Sequence, residues 1–138
     1  MSTNIELETI CKSLKINNFI GVFMMDELTQ SIPLTKECYI VNLQNSNQHG
    51  SHWISIYKSN NSIYFFDSFG APIPLEIRNR YKNNKIFNFQ SLDNIYPSKP
   101  LQNYSQVICG QLCVLFLLLS SKGLSFKSII NILQTDIN

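Results

Sequence analysis

The chain has 138 residues and a mass of 15.9 kDa, so size alone gives one domain over 1-138. Apolar residues make up 44% and charged residues 14%, which excludes a disordered tail, a coiled coil and a highly charged scaffold. With 11 basic and 9 acidic residues the formal charge is +2, too small to imply nucleic-acid or membrane binding by charge alone.

Thr3-Asn4-Ile5-Glu6 has the form of a capping box, and Ile5, Thr9, Ile10 and Leu14 follow at helical spacing. Asn4 to Leu14 therefore reads as a helix. This opening carries Glu6 and Glu8 and no basic run, unlike a secretory signal. A short helix fits Met24 to Gln30, and Pro33 ends whatever precedes it. Cys38 to Leu43 is rich in strand formers, and Gln44 to Gly50 is polar and turn-like. His52 to Tyr57 reads as a strand, Ser59-Asn60-Asn61-Ser62 as a hairpin turn and Ile63 to Phe66 as the returning strand. Beyond Pro72 and Pro74, Leu75 to Asn83 has a solvated helical pattern, and Ile86 to Phe89 alternates in part as a strand would. Asp93 to Ser105 is a loop holding Pro97 and Pro100. Cys109 to Ser121 is an apolar helix with the composition of a segment buried on nearly every side, and Gly123 suits its stop. Ser125 can cap a last amphipathic helix through Ile129, Ile130 and Leu133. The longest apolar run, Val114 to Leu119, falls far short of the ~20 residues of a membrane span. The pattern is α+β: a small, mostly antiparallel sheet flanked by helices. With neither a signal nor a span, the expectation is a soluble protein that is not secreted.

Three residues at the ends of elements could do chemistry. His52 opens a strand after Gly50-Ser51, and Asp67 closes the partner strand, so the hairpin alone can bring them together. Cys109 sits at a helix N-terminus directly before Gly110, where free N–H groups and the helix dipole favour a thiolate. A thiolate beside an imidazole oriented by a carboxylate is the logic of a cysteine acyl-transfer enzyme. Taken singly, each residue leans the other way. A lone Cys on an apolar helix is usually inert core, Asp after a strand is usually a turn residue, and a His beside a Trp can be a packed pair. The combination is what points to chemistry. Cys11, Cys38 and Cys113 read as structural thiols, reduced because nothing indicates secretion. His49 and His52 have the spacing of a metal pair, but no further ligands stand at zinc spacing, so neither a metal nor another cofactor is expected. Arg78, Arg80, Lys82 and Lys85 read as a solvated basic face.

Three stretches then carry a family resemblance: Gly50-Ser51-His52-Trp53, Tyr64-Phe65-Phe66-Asp67-Ser68-Phe69-Gly70, and Gln102 to Cys113 ending Cys109-Gly110-Gln111-Leu112-Cys113. The sequence resembles the adenovirus-type cysteine proteases (adenain), within the clan that includes the SUMO and ubiquitin-like-protein proteases. The order His, acid, Gln, Cys is that family's and opposite to papain's. More weakly, Phe19 to Phe23 looks like the family's short N-terminal segment and Cys38 to Leu43 like its strand before the His. The resemblance implies a circularly permuted papain-like fold with the nucleophile on a buried central helix. It implies His52 as general base, Asp67 as third member, Cys109 as nucleophile and the Gln102 amide as an oxyanion donor, with Gln106 a rival for that role. One such donor is worth roughly 3–4 kcal/mol in a comparable hydrolase. Trp53 would shield His52, and Gly110 belongs to the nucleophile motif.

The function so implied is an endopeptidase that cleaves capsid or core precursor polypeptides near Gly during virion maturation, located in the virion and the infected cell. A short activating peptide and stimulation by DNA come with the resemblance, though the chain has few basic residues to meet DNA. The chain is shorter than adenain and ends soon after the nucleophile helix, which fits a compact version from a small DNA virus, virophage or Maverick-type element. Two other readings stand beside this one: an isopeptidase that removes ubiquitin-like modifiers, and a silent binding module that keeps the fold.

Overall fold

In the computed structural model, residues 4–28, 31–43, 52–68, 70–88 and 109–137 are described, with side chains to residue 133. The sheet grows from a three-strand antiparallel centre. β2 (Lys36–Asn42), β3 (Trp53–Ser59) and β4 (Ser62–Phe66) pair antiparallel, with Cys38 opposite Tyr57 and Ser55 opposite Phe66. Asn60 takes the positive φ, 56°, that the tight turn between β3 and β4 requires. β1 (Phe19–Met24) and β5 (Lys85–Phe87) close the two edges, and both run parallel to their neighbours. The order is β1-β2-β3-β4-β5, a mixed sheet whose antiparallel part is central.

Parallel neighbours need a crossover, and a helix lies in each one. α2 (Met25–Leu28) stands between β1 and β2, and α3 (Leu75–Arg80) between β4 and β5. Both pack on one face of the sheet, where Met25, Leu28 and Ile77 meet Tyr39, Val41, Ile54, Ile56, Ile63 and Phe65. The opposite face is covered by α1 (Asn4–Ser13), α4 (Cys109–Ser121) and α5 (Phe126–Ile137). There Cys38, Ile40, Trp53 and Phe66 pack against Leu7, Cys113, Phe116 and Ile129. Alternate residues of one strand thus enter different cores, Cys38 and Ile40 on one side and Tyr39 and Val41 on the other, as the two-residue repeat of a strand demands. This explains why β2 reads as an unbroken apolar run rather than an alternating one.

The resulting α+β architecture, helices on both faces of a five-strand sheet, agrees with the fold class read from the sequence. Most elements lie within a residue or two of the expected bounds, and α4 begins and ends where expected. β1 is the exception, for Phe19 to Phe23 was not read as a strand. Its pairing shifts register between Phe19 and Gly21, and Gly21 sits at φ 144°. An irregular strand with glycine inside hides its period. Thr3 of the expected capping box and the expected loop Asp93 to Ser105 lie outside the described residues. Among the described residues no helix is long and apolar enough to cross a membrane.

Candidate active site

The site forms where three elements end together. β3 starts at Trp53, so His52 is the residue that feeds it, while β4 ends at Phe66, so Asp67 is the residue that leaves it. Antiparallel register sets Ser55 opposite Phe66, and His52 and Asp67 fall just past that pair on adjoining strands. The β2–β3 ladder also continues one step outward, with Leu43 N donating to His52 O at 3.0 Å, which fixes the His52 backbone. Into this corner α4 brings its first residue, Cys109. The helix lies along β3 and is held to the sheet by apolar contacts such as its Phe116 stacked on Phe66 of β4, centroids 5.0 Å apart.

His52 Nε2 and Asp67 Oδ1 are 2.7 Å apart, a charge-assisted hydrogen bond between side chains 9% and 2% exposed. With Nε2 taken by the carboxylate, Nδ1 is the ring nitrogen left for a second partner. Cys109 lies beside the same imidazole and favours its charged form. Burial is the largest single influence on His52 and lowers its pKa. Asp67 and Cys109 act in the other direction and together prevail, raising it from 6.5 to about 9. At neutral pH the ring is therefore an imidazolium held between a carboxylate and a sulfur. Cys109 itself is fully buried, at the helix N-terminus where partial positive charge favours an anion.

The other cysteines differ in environment. All four are free and packed in the same core, yet burial pushes Cys11 up to about 11, Cys38 up to about 12 and Cys113 well above the ordinary thiol value. Glu8 adds to the shift at Cys11, whereas Cys38 donates to Asn17 O at 3.4 Å. All three are buried core thiols, in line with the reading of them as structural.

The structure thus brings together His52, Asp67 and Cys109, three residues spread over 58 positions of chain. Trp53 is buried in the core cluster that also holds Cys109, and its Nε1 meets no acceptor among the described residues. Gly110 is buried in the first turn of α4. Gln102, its rival Gln106, and His49 lie outside the described residues. One neighbour escaped the sequence reading. Asn42 is fully buried at the end of β2, the register partner of Trp53, and its only signal was a polar residue closing an apolar strand. Of the expected basic face, Arg80 is instead drawn inward: its guanidinium bonds Glu37, Leu28 O and Ser31 O.

No family model and no curated protein matches the sequence. Among solved structures, the crystal structure of the ASFV pS273R protease superposes with a TM-score of 0.59 at 19% identity, over 93% of this chain and 60% of that one. The fold is shared with a protease. A selenomethionine crystal structure of the same ASFV protein aligns at 22% identity over 71% of this chain and 39% of that one, with a TM-score of 0.48. The present chain therefore spans about 60% of the ASFV protein's length in the fuller match.

Proposed function

We propose that this chain is a cysteine endopeptidase using Cys109, His52 and Asp67, which processes viral structural precursor proteins near glycine-containing sites during virion maturation. The single observation that carries the reading is the buried His52–Asp67 hydrogen bond with Cys109 on the same imidazole. A protease fold shared with the ASFV protein supports the reaction class. The precursor substrates and the maturation role rest on the sequence resemblance alone.

In this mechanism His52 holds the proton taken from the Cys109 thiol, leaving the sulfur anionic. The thiolate attacks the scissile carbonyl carbon, and the electron pair of the C=O bond moves to oxygen. The Cys109 backbone N–H and, by resemblance, the Gln102 amide would hold that oxyanion. As the tetrahedral intermediate collapses, the C–N bond breaks and His52 gives its proton to the leaving amine. Water then surrenders a proton to His52 and attacks the thioester, releasing the acid and restoring the thiol. Asp67 keeps the ring oriented and balances its positive charge throughout.

Replacing the nucleophile tests the reading. Cys109→Ala should lower kcat for precursor cleavage by at least about 10³-fold, the scale seen when a covalent nucleophile is removed, with the fold intact by circular dichroism. Unchanged cleavage would overturn the assignment. The same assay with conjugates of ubiquitin-like modifiers distinguishes the isopeptidase reading, since a maturation enzyme leaves them whole.

A further inference from the structure

Along α4, between Cys109 and the Phe116 ring stack, the helix meets the sheet at two small residues, Cys113 and Ser55. The two-residue repeat of β3 turns Trp53, Ser55 and Tyr57 to the α4 face. Ladder pairing sets Ser55 between Ile40 of β2 and Phe66 of β4, both apolar. Cys113 lies against it, one helical turn or about 6 Å beyond Cys109. Ser55 is completely buried, and its Oγ makes no hydrogen bond among the described residues. The polar group beside it is the Cys113 thiol, whose charged form the hydroxyl favours. Small size alone would let the helix approach, and alanine would supply that with no polar atom to desolvate. The hydroxyl is the feature that needs a reason.

Charge supplies one. Cys113 lies within reach of the charges of Cys109 and Asp67, and of Cys11 on α1. In the ionised state of the proposed mechanism, Asp67 and the Cys109 thiolate are two anions against the single cation His52. A surplus negative charge is then buried at the start of α4, and the helix N-terminus offsets part of it. A hydroxyl with no acceptor of its own can turn its positive end to the same charge. We propose that Ser55 is a positioning residue of the peptidase site, acting through Cys113: it donates to the Cys113 sulfur, and that polarised thiol supports the negative charge on Cys109 and Asp67. The proposal rests on the reading of Cys109 as nucleophile. Ser55 itself touches neither substrate nor reacting atoms, and no bond is made or broken at Ser55 or Cys113.

The rate at which iodoacetamide alkylates Cys109, read by peptide mapping between about pH 5 and 10, tests this without a substrate. Ser55→Ala should move the acid limb of that rate upward by about one pH unit, which is about a tenfold loss of thiolate there. It should also lower kcat for peptide cleavage about tenfold with KM unchanged. Its urea midpoint should hold or rise, because an unpartnered buried hydroxyl has gone. Cys113→Ala should move the acid limb alike, and the double variant no further than either single one, since the two groups act in series. An unmoved acid limb, a loss of activity matched by a loss of stability, or additive shifts in the double variant would each overturn the proposal and leave the nucleophile assigned. If Cys109 of the unaltered protein reacted no faster than Cys11, the peptidase reading would fall, and the proposal with it.

Discussion

Among the described residues each face of the sheet buries one ion pair, and the two pairs are built to different ends. On the α3 face, Glu37 accepts from Leu34 N at 2.9 Å, from Arg80 Nη2 at 3.3 Å and from Tyr81 OH, which in turn is bonded to Tyr39 OH. Arg80 directs its remaining donors to Leu28 O at 3.2 Å and Ser31 O at 2.6 Å. Burial raises the pKa of both phenols, so they stay protonated donors. Every group in this cluster meets protein, and its cation cannot titrate in any ordinary range. On the α4 face the cation is a histidine, the carboxylate holds one ring nitrogen, and a cysteine lies beside the same ring. Arginine in that position would hold its proton permanently and could pass none to a leaving group. Both pairs cost desolvation, but only one is made of a group that can exchange a proton near neutral pH.

The sharpest way to break this contrast is to alter each carboxylate in turn. Asp67→Asn keeps the size of the side chain and removes its charge. The Asn amide can present N–H to the ring, favouring the wrong tautomer, so kcat for peptide cleavage should fall by about 10²- to 10⁴-fold, the upper figure being that of a serine triad. Thermal unfolding should move far less. Glu37→Ala should do the reverse. It leaves Arg80 and Tyr81 without their acceptor, and breaking a buried pair on one side typically costs about 3–5 kcal/mol. Urea unfolding should report that loss, while cleavage per folded molecule stays within about threefold. If Glu37→Ala abolished activity at unchanged stability, the division between a structural and a reactive pair would fail.

pH sharpens the same comparison. The His52 pKa rises from 6.5 to about 9 on folding, so the folded state favours the protonated ring. The stability this confers is complete below about 6.5 and is lost as pH climbs through about 9. Cleavage needs the imidazolium to protonate the leaving amine and should therefore decline with pH through about 9, approaching tenfold per unit beyond it. On the other face Arg80, Tyr39 and Tyr81 are all raised above their ordinary values and exchange no proton in that window. Alkylation by iodoacetamide, which needs only thiolate, should not share the decline. It should mark Cys109 before Cys11, Cys38 and Cys113, whose burial holds them as thiols; with its pKa near 11, Cys11 is ionised to only about one part in 10³ at pH 8. Peptide mapping of the first label added decides this.

The reactive corner was far more legible in the sequence than the structural one, for a physical reason. His52, Asp67 and Cys109 each sit at an element end marked by local chemistry: a Gly-Ser turn, a strand stop, a glycine opening a helix. A hairpin is a local structure, so its register, and with it the His–Asp approach, follows from two strands and a turn. The Glu37–Arg80 pair bridges 43 positions across a crossover, and no local pattern ties a strand glutamate to an arginine on a solvated-looking helix. Arg80 was accordingly read as surface. Asn42 was missed for the same reason, because burial at a strand end depends on what packs above it.

β1 was missed through a local irregularity, and its glycine gives the smallest effect. Gly21 lies at φ 144°, where side chains are rarely tolerated, and an added Cβ would stand 3.1 Å from Phe23 Cζ and 3.2 Å from Glu8 Oε1. Gly123, at φ 89°, has open space around the same position. The two sites therefore separate backbone strain from steric conflict. Gly123→Ala should cost about 1 kcal/mol from conformation alone. Gly21→Ala should cost about 1 kcal/mol more, because either the α1 carboxylate or the Phe23 ring must shift. Denaturant melts of both variants measure the difference. Equal losses would mean that Glu8 and Phe23 move aside freely, and that α1 is not held against β1 through this contact. Since β2 separates β1 from β3, and Gly123 lies past the end of α4 opposite Cys109, neither variant should change the rate of cleavage by folded molecules.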